Sequence, residues 1–305
     1  MSGFEIINPG ILTLVQDKGR FSYAHIGVTS SGCMDEYAYF WANKLLGNAK
    51  DCNVLEIAFP SFSVKASEDI SISITGADLS LSINGKYSKP WSTYNIKKGD
   101  ILKFCKSLKG VRAYLAVKGG FLLNKDFDSY STTIKEGLGA IKGRALIKSD
   151  FLPYTPYKHN HKKVLKEKYI PSYDETLVLR VLLSYQKDEF EEKEKEKFFA
   201  SEFSVSPESN RMGMKLNGEK IIPKISGIIS EGIAFGSIQI PSSGQPIILL
   251  KDRQTIGGYA KIGSVLAIDC FKLSQAKNNT KIRFEEIDIK SAQEKMKDFY
   301  LDFDN

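Results

Sequence analysis

Three stretches of this chain gather polar side chains beside glycines, and chemistry is most readily sited there. The first is Gln16-Asp17-Lys18-Gly19-Arg20 with Ser30-Ser31-Gly32-Cys33-Met34-Asp35. The second is Ser206-Pro207-Glu208-Ser209-Asn210-Arg211-Met212-Gly213. The third is Gly244-Gln245-Pro246, then Asp252-Arg253-Gln254-Thr255-Ile256-Gly257-Gly258-Tyr259 after the apolar run Ile247 to Leu250. A carboxylate, a guanidinium and amides in one loop suit a small polar acid or amide, and glycine lets backbone approach such a ligand closely. A buried unpaired carboxylate is costly, so Asp252 needs a partner, and Arg211 or Arg253 is the nearest in type.

Short strands and one good helix must position these clusters. Thr13-Leu14-Val15 is β-prone and runs into the Gln16 to Arg20 turn. Met34, Ala38, Trp41, Ala42, Leu45 and Leu46 recur at helical spacing, with Asp35 and Glu36 at the positive end of the helix dipole and Gly47 as the stop. Ile70, Ile72 and Ile74 alternate; so do Leu79, Leu81 and Ile83 ahead of the hairpin signal Asn84-Gly85, and Val111, Ala113, Leu115 and Val117. This pattern predicts an antiparallel sheet closing towards a barrel. Pro153, Pro156 and Pro171 frame a polar stretch read as a linker, giving a β-rich domain 1–150, a linker 151–173 and a second domain 174–305. In the second half a strand is expected from Thr176 to Leu183 and an exposed charged helix from Lys187 to Phe199. Further strands are expected near Ile228, Ile238, Ile247, Val265 and Ile282, with a last helix after Asp288 carrying Ile289, Ala292, Met296 and Phe299 on one face.

Composition and motif searches narrow the function. With 305 residues, 42% hydrophobic and 26% charged, the chain reads as a globular protein with a sizeable core. No apolar stretch approaches the roughly 20 residues of a membrane span, and MSGFEIINPG lacks the pattern of a signal peptide, so a cytoplasmic protein without membrane association is expected. The net charge of +7 comes from lysines spread among acids, which argues against nucleic-acid binding. The four cysteines stand alone, and His159 and His161 have no neighbouring ligand, so no disulfide framework or metal is expected. There is no P-loop and no GxSxG elbow; Gly137 to Gly143 misses the dinucleotide spacing by one residue. Lys297 lacks the AMKM context of a covalent biotin carrier.

At these same residues the chain resembles the KipA or allophanate-hydrolase-subunit-2-like family, which includes the C subunit of 5-oxoprolinase and the matching part of urea carboxylase. The segments carrying the resemblance include TLVQDKGR from Thr13, SSGCMDEYAYFWANKLLGN from Ser30, STTIKEGLGAIKGR from Ser131, SPESNRMGMKLNG from Ser206, and the long run from Ile228 through LLKDRQTIGGYAKIGSVLAIDCF. The resemblance implies a mainly β fold with a few helices and two cyclophilin-like β-barrel regions. It implies one component of an ATP-dependent 5-oxoprolinase, inactive alone, that acts with a KipI-like B subunit and the 5-oxoprolinase A subunit to open 5-oxoproline to glutamate. The ATP is used by the complex, and no nucleotide site is assigned to this chain. The alternatives are a biotin-dependent, urea carboxylase-like carboxyltransferase and a non-catalytic partner of a KipI-like kinase inhibitor.

Carried onto this sequence, the resemblance and the chemistry together give Asp252, Arg211 and Asn210 as catalytic residues. Gln16, Asp17, Arg20, Ser31, Asp35, Gln245, Gln254, Thr255, Gly258 and Tyr259 are the substrate-binding candidates. Asp252, Gln254 and Tyr259 are expected to line one pocket with Asn210 and Arg211, and Asp252→Asn to abolish turnover with little loss of stability. The sequence departs from the family at Asp128-Ser129-Tyr130-Ser131-Thr132, where an arginine is replaced by Tyr130.

Overall fold

A computed structural model describes residues 1–158, 162–173 and 176–304; His159 and His161 lie outside the described residues. The protein is mainly β, with four α-helices among the described residues: α1 (Glu36–Leu46), α2 (Glu192–Ala200), α3 (Ala267–Leu273) and α4 (Ile289–Asp304). It divides into two compact units. The first comprises Met1–Phe21 and Ser31–Tyr173, the second Ser22–Ser30 and Asp174–Asn305.

The first unit builds two sheets around one core. The six-stranded sheet runs in the order Phe151–Pro153, Gly3–Pro9, Phe62–Ala66, Ile101–Phe104, Leu81–Ile83, Lys86–Tyr87. The five-stranded sheet runs Leu12–Gln16, Val54–Ala58, Lys109–Val117, Ile70–Asp78, Ser92–Ile96. The alternation at Ile70, Ile72 and Ile74 puts all three in the core between the sheets. The intervening polar residues are buried too, beneath α1: Ser73 Oγ donates to the Ala42 carbonyl, and Thr75 Oγ1 to the Ala38 carbonyl at 2.6 Å. Hydroxyls can occupy a buried face when each has an acceptor, and the helix carbonyls supply it. Asn84 and Gly85, at φ 51° and 82°, close the two-residue turn that pairs Ile83 with Lys86, as the primed hairpin turns require.

The described residues of the 151–173 stretch group with the first unit. Phe151–Pro153 pairs with Gly3–Pro9, Leu152 and Tyr154 enter the core, and Leu165 is buried with its N–H on the Trp91 carbonyl at 2.9 Å. The prolines break local periodicity, but single apolar residues still find burial in a non-local partner.

The second unit is a closed barrel of seven strands: Thr176–Leu183, Ala260–Val265, Ser237–Ile240, Ile247–Leu249, Gly213–Asn217, Phe203–Val205 and Lys281–Glu286, with the last pairing in parallel with the first. The charged stretch expected as an exposed helix begins with a single 3₁₀ turn, Lys187–Glu189, before α2. Phe198 then anchors α2 inward, stacked on Phe284 at 4.3 Å between ring centroids. Asp288 caps α4 by accepting from the Ser291 N–H at 2.9 Å. The expected strand near Ile228 is absent. The Ile228 N–H reaches the Gly258 carbonyl at 2.8 Å, and the strand that forms is Glu231–Gly232, paired with Ile256–Gly257. Among the described residues no helix is long and apolar enough to cross a membrane.

Candidate functional site

In the first unit, four of the sequence-selected residues converge on one loop, residues 129–133. Asp17 is buried, and its carboxylate accepts four hydrogen bonds: from Gly19 N at 2.8 Å, Ser129 Oγ at 2.6 Å, Ser131 Oγ at 2.6 Å and Tyr130 N at 2.7 Å. Arg20, 1% exposed, donates to the carbonyls of Asp126 and Ser131 and to Thr133 Oγ1. Gln16 Nε2 donates to the Thr132 carbonyl at 2.9 Å, and Ser31 Oγ to the same carbonyl at 3.3 Å. Arg20 has the fork geometry that binds anions, yet this fork is directed at the chain's own carbonyls. These hydrogen bonds hold the 129–133 loop in shape. Lys125 Nζ lies 5.1 Å over the ring of Tyr130, the residue that stands in the arginine position.

Asp35 also has a structural occupation. Its Oδ1 caps α1 by accepting from Ala38 N at 3.1 Å, and its Oδ2 accepts from Tyr173 Oη at 3.1 Å. Behind it runs a buried chain that the sequence reading missed. Asp35 N donates to Tyr114 Oη at 2.8 Å, and Tyr114 Oη donates to Glu56 Oε2 at 2.9 Å. Met34 N also donates to Glu56, and Arg112 Nε stands 3.7 Å from its other oxygen. Burial first, and the Glu56 carboxylate second, push the Tyr114 hydroxyl well above its ordinary 10.0, so it remains a proton donor. The signal available in sequence was a lone Glu inside the strand Val54–Ala58, a charge on a fully buried segment that has to be paired.

In the second unit Arg211 and Asp252 form a bidentate pair, Nε to Oδ2 at 2.8 Å and Nη2 to Oδ1 at 3.0 Å. Their side chains are 7% and 11% exposed. The backbone sets this geometry: Leu250 N donates to the Met212 carbonyl and Asp252 N to the Arg211 carbonyl, each at 2.9 Å, extending the pairing of Gly213–Asn217 with Ile247–Leu249 past the strand ends. Asn210 is exposed; its Oδ1 is taken by Met212 N at 2.8 Å, so its NH₂ is the group it can offer. Gln254 and Tyr259 are exposed on the loop after the pair, and Thr255 and Gly258 contribute carbonyls to Ile233 N and Ile228 N. Gln245 is used elsewhere. Its amide bonds the Gly218 backbone in both directions, at 3.0 and 3.1 Å, and so clamps two loops.

A second polar cluster of this unit was not anticipated. Lys261, 5% exposed, pairs with Glu231, which also accepts from Gln186 Nε2 at 2.8 Å. Among the described residues no group of three or more His, Cys, Asp or Glu side chains is placed to hold a metal ion.

Residues 26–286 match the model of the carboxyltransferase domain, subdomain A and B. The chain belongs to that family. It is 33% identical over 291 residues to the C subunit of 5-oxoprolinase from Haemophilus influenzae, covering 94% of this chain and 93% of the relative. It is 28% identical to urea amidolyase of Saccharomyces cerevisiae over 96% of this chain, but spans only 17% of that much longer protein. The crystal structure of Kluyveromyces lactis urea carboxylase superposes with a TM-score of 0.92 at 26% identity over 99% of this chain and 29% of that one. Within the carboxyltransferase-domain match lie Ser31, Asp35 and all the candidates of the second unit, whereas Gln16, Asp17 and Arg20 precede it.

Proposed function

We propose that this chain is the C subunit of an ATP-dependent 5-oxoprolinase, working with a KipI-like B subunit and the A subunit to convert 5-oxoproline to glutamate. The near full-length similarity to the C subunit of a 5-oxoprolinase supports this reading, and the Arg211–Asp252 pair carries it chemically. A lactam offers one N–H and one carbonyl oxygen. Asp252 is the acceptor for the N–H, and Arg211 fixes the plane of that carboxylate through two parallel bonds. The exposed NH₂ of Asn210 donates towards the carbonyl as negative charge develops on its oxygen. Gln254 and Tyr259 extend the polar surface of the same loop, and Asp17, Arg20 and Asp35 act by holding the loops of the first unit. ATP is used by the complex, with no nucleotide site assigned to this chain, and this chain carries no covalent biotin.

The experiment is 5-oxoproline-dependent ATP hydrolysis by the purified chain combined with its B and A partners. Omission of this chain should abolish the coupled activity. A second reading, carboxyl transfer to urea, draws on the likeness to urea carboxylase, and the same donor–acceptor pair suits a urea amide. Carboxylation of urea by the assembled protein with a biotinylated partner, in place of lactam opening, would favour it. Inactivity in both assays, with retained binding to the B partner, would favour a regulatory role.

A further inference from the structure

Glu231–Gly232 and Ile256–Gly257 form a two-stranded flap of only two residue pairs, and the loop bearing Gln254, Thr255 and Tyr259 leads into and out of it. So small a ribbon has little stability of its own. The Glu231 carboxylate helps to fasten it to the barrel: it pairs with Lys261, accepts from Gln186 Nε2 and is held by the Tyr185 hydroxyl. The carbonyl of the buried Ile233 that follows accepts from Arg253 Nε at 3.1 Å. Lys261 is the direct cross-strand neighbour of Gln239, so the two side chains share one face of the barrel wall. Gln239 is 5% exposed, and its Nε2 is a buried donor with no hydrogen-bond partner among the described residues. That nitrogen lies under the flap: a Cβ placed on Gly257, the residue paired with Glu231, would come within 2.8 Å of it. A buried ammonium and an unsatisfied buried amide therefore extend from paired positions of neighbouring strands, with the small ribbon over them. The anion serving the ammonium is a side chain that is itself 32% exposed.

We infer that Lys261 and Gln239 form a carboxylate subsite beneath this flap, and that an incoming small carboxylate displaces Glu231 from Lys261 and takes the hydrogen bond that Gln239 Nε2 lacks. Buried donors of this kind are normally satisfied, and a ligand oxygen between the ammonium and the amide would satisfy both. Glu231 then acts as an internal competitor, keeping the lysine neutralised while the subsite is empty. The inference rests on the 5-oxoproline reading only for the identity of the natural carboxylate, since that lactam carries one.

The test is a ligand-observed NMR titration of the full chain with cyclopentanecarboxylate, which has the ring and the carboxylate but no lactam, and with 2-pyrrolidinone, which has the lactam alone. Removing the competitor by Glu231→Gln should tighten cyclopentanecarboxylate binding at least tenfold. Adding Lys261→Met to that variant, which avoids stranding Glu231 opposite a lost partner, should reverse the gain. Adding Gln239→Leu instead should weaken binding severalfold, and 2-pyrrolidinone should bind all the variants alike. Circular dichroism checks that each is folded; if the Met variant is not, Lys261→Gln in the same background replaces it. The inference fails if the Lys261 variants bind the carboxylate as tightly as Glu231→Gln alone, or if neither wild type nor Glu231→Gln binds it. Because the probe has no lactam, carboxylate binding with these dependences stands even if the assembled complex does not turn over 5-oxoproline. Turnover without them removes the subsite and leaves the proposed function in place.

Discussion

Arg211 offers Asp252 two parallel N–H donors, and that fork is what a substitution there would test. Arg211→Lys keeps the charge but not the planar pair of donors, so the carboxylate loses its fixed plane. Turnover by the assembled complex is expected to fall by about 100-fold, the scale seen when one preorganised donor is removed from a reacting site. Steady-state kinetics against an unchanged circular dichroism spectrum measures this, and normal kinetics would assign the arginine to structure alone. Asp252→Asn is a different case. The sequence reading expected it to spare stability, but the pair is nearly covered, and deleting one charge removes an ion pair with two parallel hydrogen bonds from a covered site. A loss of about 3 kcal/mol in urea denaturation is expected, together with loss of activity. That Asp252 pairs with a cation was legible from type, since a carboxylate at a strand end had to find one; the choice of Arg211 over Arg253 was not. That Gln245, Asp17 and Arg20 would be occupied by groups of the chain itself was not legible. Their partners, Gly218, Ser131 and Asp126, are remote in sequence, and nothing in a local pattern marks which distant donor or acceptor each will meet.

Elements show the same division between local and remote. The stop at Gly47 and the Asn84-Gly85 turn are local agreements between side chain and backbone, and both are read directly from sequence. Asp35 reads there only as an acid at the positive end of the helix dipole, and its cap on Ala38 N emerges in the fold. The loop 129–133 is set instead by close approach of distant backbone. Gly139 has φ 108°, and a Cβ there would lie 2.2 Å from the Ser131 carbonyl oxygen. Gly139→Ala is therefore expected to destabilise the protein by about 3 kcal/mol or more, because strain and a clash with backbone add. A thermal midpoint equal to wild type would contradict this packing. The flap makes a prediction in pH. The Lys261 ammonium foremost, and then the Tyr185 hydroxyl, hold the Glu231 carboxyl below its ordinary 4.5. A depressed folded value means that the latch contributes fully above 4.5 and is lost as pH falls through the lower folded value. The stability difference between wild type and Glu231→Gln should thus be constant near neutrality and shrink below pH 4.5, as denaturant titrations at several pH values would show. A difference independent of pH would mean that Glu231 makes no such bond in solution.

For the whole molecule, the proposed division of labour predicts that the purified chain alone neither hydrolyses ATP nor opens 5-oxoproline, and that activity returns on adding the B and A partners; full turnover by the single chain would refute it. The sequence made the β-rich character legible because alternation is a local property. It could not reveal that seven strands close into a ring in one unit while eleven divide between two sheets in the other, since closure depends on which edges meet. Nor did it reveal that Ser22–Ser30 leaves the first unit and belongs to the second. That excursion has a consequence in time. Thr29 donates through Oγ1 to the carbonyl of Arg253, a residue 224 positions later. On a ribosome adding about 5–20 residues per second, the segment waits on the order of 10–45 s for its partner to be made. Through that interval the nascent first unit must form around a stretch that has nowhere to dock, so a chain stalled before the barrel is complete would display Ser22–Ser30 as a ready handle for chaperones or proteases.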